Sequence, residues 1–436
     1  MLLENDGTNW PALVGTTLAI GLTLLAFKYN DRVVFDPVRP HTAHFKGWPL
    51  IGSTLDIATS IDRMHDFFLN AFETTGATSI TVTGIGFPRG VVTVDPTAIE
   101  HILKSNFENY IKGNLFHYAT FPLLGHGIFN ANGAQWRYQR KTAALVFSVK
   151  NFRDHFTDVF VKELTLVCDI FTKAMETRTV IDFHDIMYKF TLDSFVLIGF
   201  GAQVNALTTT GKVPFAESFD ILQMNVFDRS INLMEPIKRY ASAIFTPWKP
   251  NIASHQKVVN DFAASVIQQR RASKVQTQKD LLSRFMETKN EKGDPLSDKE
   301  LRDAIMNLTV AGRDTTAQTL SWVLYNLMLH PETEEKLVAE IQESVPDALE
   351  QDSPALYEAI KEMKYAYAVY AMGRNKLIWG SDAGDFKPER WITETGDVRR
   401  ESQGKWPAFH AGHITYQVSI SLPMKHGLKV MVDPRQ

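Results

Sequence analysis

Residues 301–330 form a long apolar-periodic stretch, and inside it stands the run Ala311, Gly312, Arg313, Asp314, Thr315, Thr316. A glycine, an acid and two hydroxyls occupy places where a core helix carries packing residues. Asn307, Leu308, Gly312, Thr315 and Thr316 recur at three- and four-residue spacing, so a continuous helix puts them on one face. Threonine in mid-helix tends to bond back to the carbonyl four residues earlier, and helices are often bent or bulged at such places. A small groove beside Gly312 is the expected result. The same spacing also fits a break, in which Gly312 ends one helix, Thr315 caps the next and Gln318 reaches back to complete a capping box. Spacing alone leaves both open, and the cap is the simpler of the two.

The N-terminus constrains the compartment. Residues 10–27 carry no charged side chain, and as a helix they rise about 27 Å, just enough for a hydrocarbon core when Trp10 sits at the interface. Glu4 and Asp6 precede this stretch while Lys28, Arg32 and Arg39 follow it. The positive-inside rule then places everything after residue 28 in the cytoplasm. A single-pass anchor over residues 1–28 is expected. A cleaved signal peptide would want a basic start, which is absent, and a buried helix of a soluble domain is the remaining alternative. Pro37, Pro40, Gly47, Pro49 and Gly52 make residues 29–52 a hinge, expected as a stiff, extended spacer. One domain over residues 53–436 is the simplest division of the rest.

With 436 residues, 44% of them hydrophobic, the chain can bury a large core and is neither disordered nor fibrous. Its net charge of −3 gives no footprint for nucleic acid. Residues 78–83 and 90–94 alternate as strands of a hairpin. The glycines between them, Gly84, Gly86 and Gly90, accompany Pro88 and open no helix, so they form a turn and not a dinucleotide loop. Residues 96–345 show helical periodicity with short polar breaks, which makes the fold mainly α. Residues 416–432 read as two closing strands. Phenylalanine, at 28 copies, recurs in stretches such as 116–129 and 219–245, which serve equally well as pocket lining or as core. Cys168 is the single cysteine, on a helical face with Leu164 and Phe171. It reads as a buried thiol in a chain without intrachain disulfides, consistent with a reducing cytosol.

Further motifs follow in a fixed order. Trp136 and Arg140 lie four apart in a helical stretch, where an indole N–H and a guanidinium can meet one anion or simply stack on each other. Tyr370, Ala371, Met372, Gly373 and Arg374 lead to Phe386, Lys387, Pro388, Glu389, Arg390 and Trp391, and then to Phe409, His410, Ala411 and Gly412. In this order, and from anchor to closing strands, these elements resemble the cytochrome P-450 superfamily of the microsomal type. The wording is most similar to the branch that hydroxylates fatty acids and alkanes. The resemblance implies a mainly α, cytochrome P-450-like domain with a small β subdomain, binding heme b. It further implies electrons from NADPH through a cytochrome reductase, a lipophilic substrate, and a place on the endoplasmic reticulum membrane. Asp314 and Thr315 would organise proton delivery, Gly312 would make room for oxygen, and Trp136 and Arg140 would hold the heme propionates.

Two elements of that family are missing. The family continues Phe-His-Ala-Gly with an Arg and then the Cys that ligates iron, whereas Gly412 is followed here by His413, Ile414, Thr415 and Tyr416. No Glu in the chain has Arg three residues later, so the family's Glu-x-x-Arg helix is also absent. Both gaps, near 369/370 and 412/413, resemble excised blocks. His410, His413 and Tyr416 lie near the vacant ligand place, but neither residue type supplies thiolate chemistry. Arg390 is expected to lose its family partners and to turn to solvent or destabilise the fold. The resemblance therefore implies a monooxygenase impaired on the iron side, or a non-catalytic lipid- or partner-binding protein derived from the same fold.

Overall fold

Charge-free sequence and helix-forming leucines give the first element its form. Helix α1, Trp10–Lys28, is followed through its length by apolar side chains turned outward, Leu18, Leu24 and Phe27 among them. The computed structural model describes residues 10–39, 42–60, 63–86, 90–146, 156–231, 240–241, 244–245, 251–272, 280–290, 292–345, 354–356, 381–383, 385, 387–394 and 428–433. Among these, no helix is long and apolar enough to cross a membrane. The charge-free part of α1, from Trp10 to Phe27, rises about 27 Å against the roughly 30 Å of a hydrocarbon core, and Thr16, Thr17 and Thr23 interrupt its apolar run.

The chain divides into two compact units. The first comprises Met1–Asn106, Ala368–Asp385 and Glu401–Ala411. Residues 29–52 do not form the extended spacer expected of their prolines. Tyr29 is buried and its carbonyl accepts from the Leu50 amide at 2.9 Å, while Asp31 does the same for Gly47 at 2.8 Å. Strand β1, Ala43–His44, then runs parallel to β2, Ser79–Val82, with Ala43 opposite Ile80. Backbone bonding defeats the local preference of proline for solvated, extended chain. The expected hairpin is present, with β2 antiparallel to β3, Gly90–Thr93, in the register Ser79 to Thr93. Helices α2, Thr54–Thr59, and α3, Met64–Thr75, flank the sheet, and Phe72 of α3 packs with Ile80 and Val94.

The second unit comprises Phe107–Tyr367, Phe386–Arg400 and Gly412–Gln436. Its helices are α4, Asn114–Leu124, α5, Gly133–Val146, and α6, Thr157–Thr177. There follow α7, Phe183–Phe200, α8, Pro214–Ile231, α9, Ile252–Ala272, and α10, Leu281–Glu287. A core of Leu123, Leu192, Val196, Phe219, Val259, Ile267 and Ile305 joins them. Helix α11, Asp298–Thr309, starts at a capping box: the Glu300 amide donates to Ser297 Oγ, and Glu300 Oε2 accepts from the Ser297 amide at 2.8 Å. It continues through a π turn, Val310–Asp314, into α12, Thr315–Leu329, before α13, Pro331–Ser344.

Asp182 fastens the C-terminal segment. It caps α7 through the His184 amide and also accepts from the Leu428 amide at 2.9 Å and from Lys429 Nζ at 2.8 Å. Strand β5, Lys429–Val430, accordingly pairs antiparallel with β4, Ile181–Asp182. The remainder of the expected closing strands, residues 416–427, lies outside the described residues.

Candidate functional site

The polar run occupies a bulge in one continuous helix. Residues 310–314 take π-helical bonding, and Thr315 has helical dihedrals, φ −61 and ψ −42. Thr315 is therefore not an N-cap. Its Oγ1 donates to the Ala311 carbonyl at 2.6 Å, and Thr319 repeats the bond to the Thr315 carbonyl at 2.7 Å. Gln318 does not reach back as a capping box requires; it donates to Tyr188 Oη at 2.5 Å. One extra residue in the turn rotates the helix face, so Thr315, Thr316 and Thr319 are exposed while Arg313 and Asp314 are buried.

The groove expected beside Gly312 is filled. A β-carbon there would collide with the ring of Phe195 on α7, so the missing side chain permits helix contact instead of leaving open space. The expected shared face is likewise divided. Asn307 and Leu308 are buried while Thr315 and Thr316 face outward, because the extra residue of the π turn between them shifts the spacing.

Burial of Asp314 is organised by Arg313. Arg313 is 3% exposed and makes two bonds to Asp220 of α8, Nη1 to Oδ1 at 2.5 Å and Nη2 to Oδ2 at 3.1 Å. Nη1 also donates to Asp314 Oδ1 at 3.1 Å, and the guanidinium lies 4.7 Å from the centre of the Tyr188 ring. Asp314 Oδ2 is buried without a full hydrogen bond; Gln223 is near enough to favour the charge a little and not to complete one. Burial pushes the Asp314 carboxyl up to about 6, against the opposing pull of Arg313. Burial likewise pushes the Tyr188 phenol up, with Asp314 adding to it. Asp220 and Tyr188 were not legible in sequence: neither belongs to a spaced motif, and Asp220 lies 93 residues from its partner.

Trp136 and Arg140 lie one turn apart on α5 as expected, but they do not stack on each other. Trp136 is half-buried with its ring 5.2 Å from that of Phe107, and Arg140 is exposed without an ion pair among the described residues. The neighbouring Arg137 takes the local acid, Glu108. Lys112, also absent from the sequence reading, lies buried near the start of this helix. Its Nζ donates to the Ile128 and Ala131 carbonyls at 2.9 and 2.8 Å, and burial lowers it to about 8.

Other expected positions resolve as follows. Cys168 is half-buried on α6, beside the buried stripe of Val159, Val167 and Ala174 and not within it. Phe219 is core, whereas Phe121 lines a cavity of ≈ 410 Å³ with Asn260, Ile267, Lys299 and Arg302. Arg390 is partly exposed in a 3-10 turn, so its charge is not stranded in the core. The motifs at 370–374 and 409–412, with His413 and Tyr416, lie outside the described residues.

Trp136 and Arg140 are groups of the kind that would hold the carboxylates of a heme, and residues 409–416, where the family's iron ligand belongs, contain no cysteine and lie outside the described residues. An exposed arginine without an ion pair among the described residues and a half-buried indole on one helix turn suit the propionates. The thiolate donor does not fit: the chain's one thiol, Cys168, sits on α6.

Comparison with known proteins gives a consistent match. The Cytochrome P450 family model covers residues 43–369. Cytochrome P450 704B1 of Arabidopsis thaliana is 29% identical, over 89% of this chain and 94% of the relative. Cytochrome P450 704C1 of Pinus taeda is 32% identical over 84% and 81%, and cytochrome P450 94A1 of Vicia sativa is 28% identical over 84% and 79%. The first alignment runs over 504 residues, more than the 436 of this chain, so that relative carries residues inside the match that this chain lacks.

Proposed function

Because this chain belongs to the cytochrome P450 family of heme-dependent monooxygenases, we propose that it is a microsomal-type hydroxylase of a fatty acid or alkane, impaired by loss of its thiolate ligand. The observation that carries the impairment is the single cysteine, Cys168 on α6, with none in residues 409–416 where the family ligand belongs. The family match stops at residue 369, at the first suspected junction, and the 504-residue alignment outruns the chain. Both support loss of internal blocks near 369/370 and 412/413.

When bound, heme supplies iron that activates dioxygen, with electrons delivered from NADPH through a reductase. The chain's own residues have definable parts. Trp136 and Arg140 hold carboxylates. Thr315, a hydroxyl that donates and accepts, presents its oxygen on the open face of the bulge. Asp314, poised near 6, exchanges a proton close to neutral pH, and Arg313 orients it.

The membrane part of the proposal rests on α1, whose apolar side chains are exposed along its length, and on the exposed Phe35, Trp48 and Leu55 just beyond it. These features support anchoring in the endoplasmic reticulum membrane with the remainder cytoplasmic.

The test is the spectrum of the purified, reduced protein under carbon monoxide. Weak heme retention without a thiolate-type Soret band is expected, and a normal thiolate carbonyl band overturns the impairment. Sequencing of transcripts across the two junctions separates a splice form of an active enzyme from a fixed loss. The missing ligand also favours a second reading, a non-catalytic lipid-binding protein, which fatty-acid affinity in the folded, heme-free chain would support.

A further inference from the structure

The loop of residues 124–132, between α4 and α5, is held by buried side chains that the proposed chemistry does not use. Asp303 Oδ2 accepts from the His126 amide at 2.8 Å. Asn307, fully buried, accepts from the Phe129 amide at 2.9 Å and donates to the Leu124 carbonyl at 2.7 Å. On the other side, Gln139 of α5 donates to the His126 carbonyl at 3.0 Å. Gly125, at φ +52, and Gly127 leave the niches that Asp303 and Asn307 fill, and a β-carbon at either would collide with those side chains.

Apolar residues would cover this loop without the desolvation cost of buried carboxylate and amide. What the polar bonds add is register. The His126 residue is tied through its N–H to α11 and through its C=O to α5. Helix α5 carries Trp136 and Arg140, and α11 runs on through the bulge to Thr315 just beyond it.

We propose that Asp303 and Asn307 are positioning residues, which fix the Trp136 and Arg140 pair relative to the bulged helix and so preorganise the carboxylate-holding side of the site. The proposal rests on the reading of that pair as a propionate site. It concerns a part of the site that needs no iron ligand.

The experiment uses the full chain in detergent with metal-free protoporphyrin as probe, read by porphyrin fluorescence, together with amide hydrogen exchange. Asn307→Ala is expected to weaken porphyrin binding about tenfold in the native background, and under about twofold when Trp136→Phe and Arg140→Ala are already present. Asp303→Asn, which keeps an oxygen for the His126 amide, should bind within about twofold of the native chain, and Asp303→Leu should not. Val259→Ala, in the core of α9, serves as a destabilised control that leaves binding and loop exchange unchanged. The inference is overturned if Asn307→Ala weakens binding no more than that control, or equally with and without Trp136 and Arg140. If the native chain binds no porphyrin, the propionate reading itself fails. The clamp is then judged by exchange alone: faster exchange of the Phe129 and Gln139 amides in Asn307→Ala upholds it, and unchanged exchange removes it.

Discussion

Arg313 holds Asp220 with both terminal nitrogens while the same Nη1 reaches Asp314, so one guanidinium links a half-exposed acid to a fully buried one. The two acids are not equivalent. Asp220 keeps access to water and is worth little alone, whereas Asp314 depends on Arg313 for its only close counter-charge among the described residues.

Arg313→Met should therefore cost about 3–5 kcal/mol, the penalty of a buried charge left without its partner. Asp220→Asn, at a half-exposed position, should cost no more than about 1 kcal/mol. Urea denaturation of the two variants checks the order, and equal losses would refute this account of the trio.

Stability should fall as pH rises through the window between the unfolded carboxylate value of 3.8 and the folded value of about 6 for Asp314. Its folded carboxyl binds the proton more tightly than the unfolded one, so its contribution is complete below the unfolded value and lost above the folded one. The effect is on the order of 2–3 kcal/mol. Urea midpoints from pH 4 to 7 should show a downward slope that Asp314→Asn reduces. An identical slope in both proteins would remove Asp314 as its source.

Gly312→Ala should destabilise by about 1–3 kcal/mol, since the added methyl meets the Phe195 ring. Phe195→Ala should be costly alone, yet the double variant should recover part of the Gly312→Ala loss. Thermal melting of the four proteins measures the coupling, and strict additivity would contradict the contact.

Thr315→Ala should leave stability within about 0.5 kcal/mol of the native chain, because its hydroxyl bonds only its own helix and the residue is exposed. A loss above about 1 kcal/mol in a melt would mean that Thr315 is structural after all.

Much of this was legible in the chain. The three- and four-residue spacing of 301–330 indicated a helix, mid-helix threonine offered a bulge only beside the simpler reading of a cap, and alternation marked β2 and β3. Those signals are local: they depend on dihedral preference and on neighbours within one or two turns. Where local preference met a long-range bond, the reading failed. The prolines of 29–52 suggested a stiff, extended spacer, and the pairing of Tyr29 with Leu50 and of β1 with β2 folded it in.

By itself, the sequence determined the helical content, the order of motifs that identifies the family, and the absence of the thiolate, since each is a matter of residue type and spacing. Only the tertiary structure decided that Gly312 faces Phe195, that Asp314 turns away from Thr315, and that Arg313 joins Asp220 across 93 residues. The physical reason is that the π turn sets which way Thr315 and the residues after it face, while the partners of Gly312 and Arg313 stand on α7 and α8, in packing that no local spacing encodes.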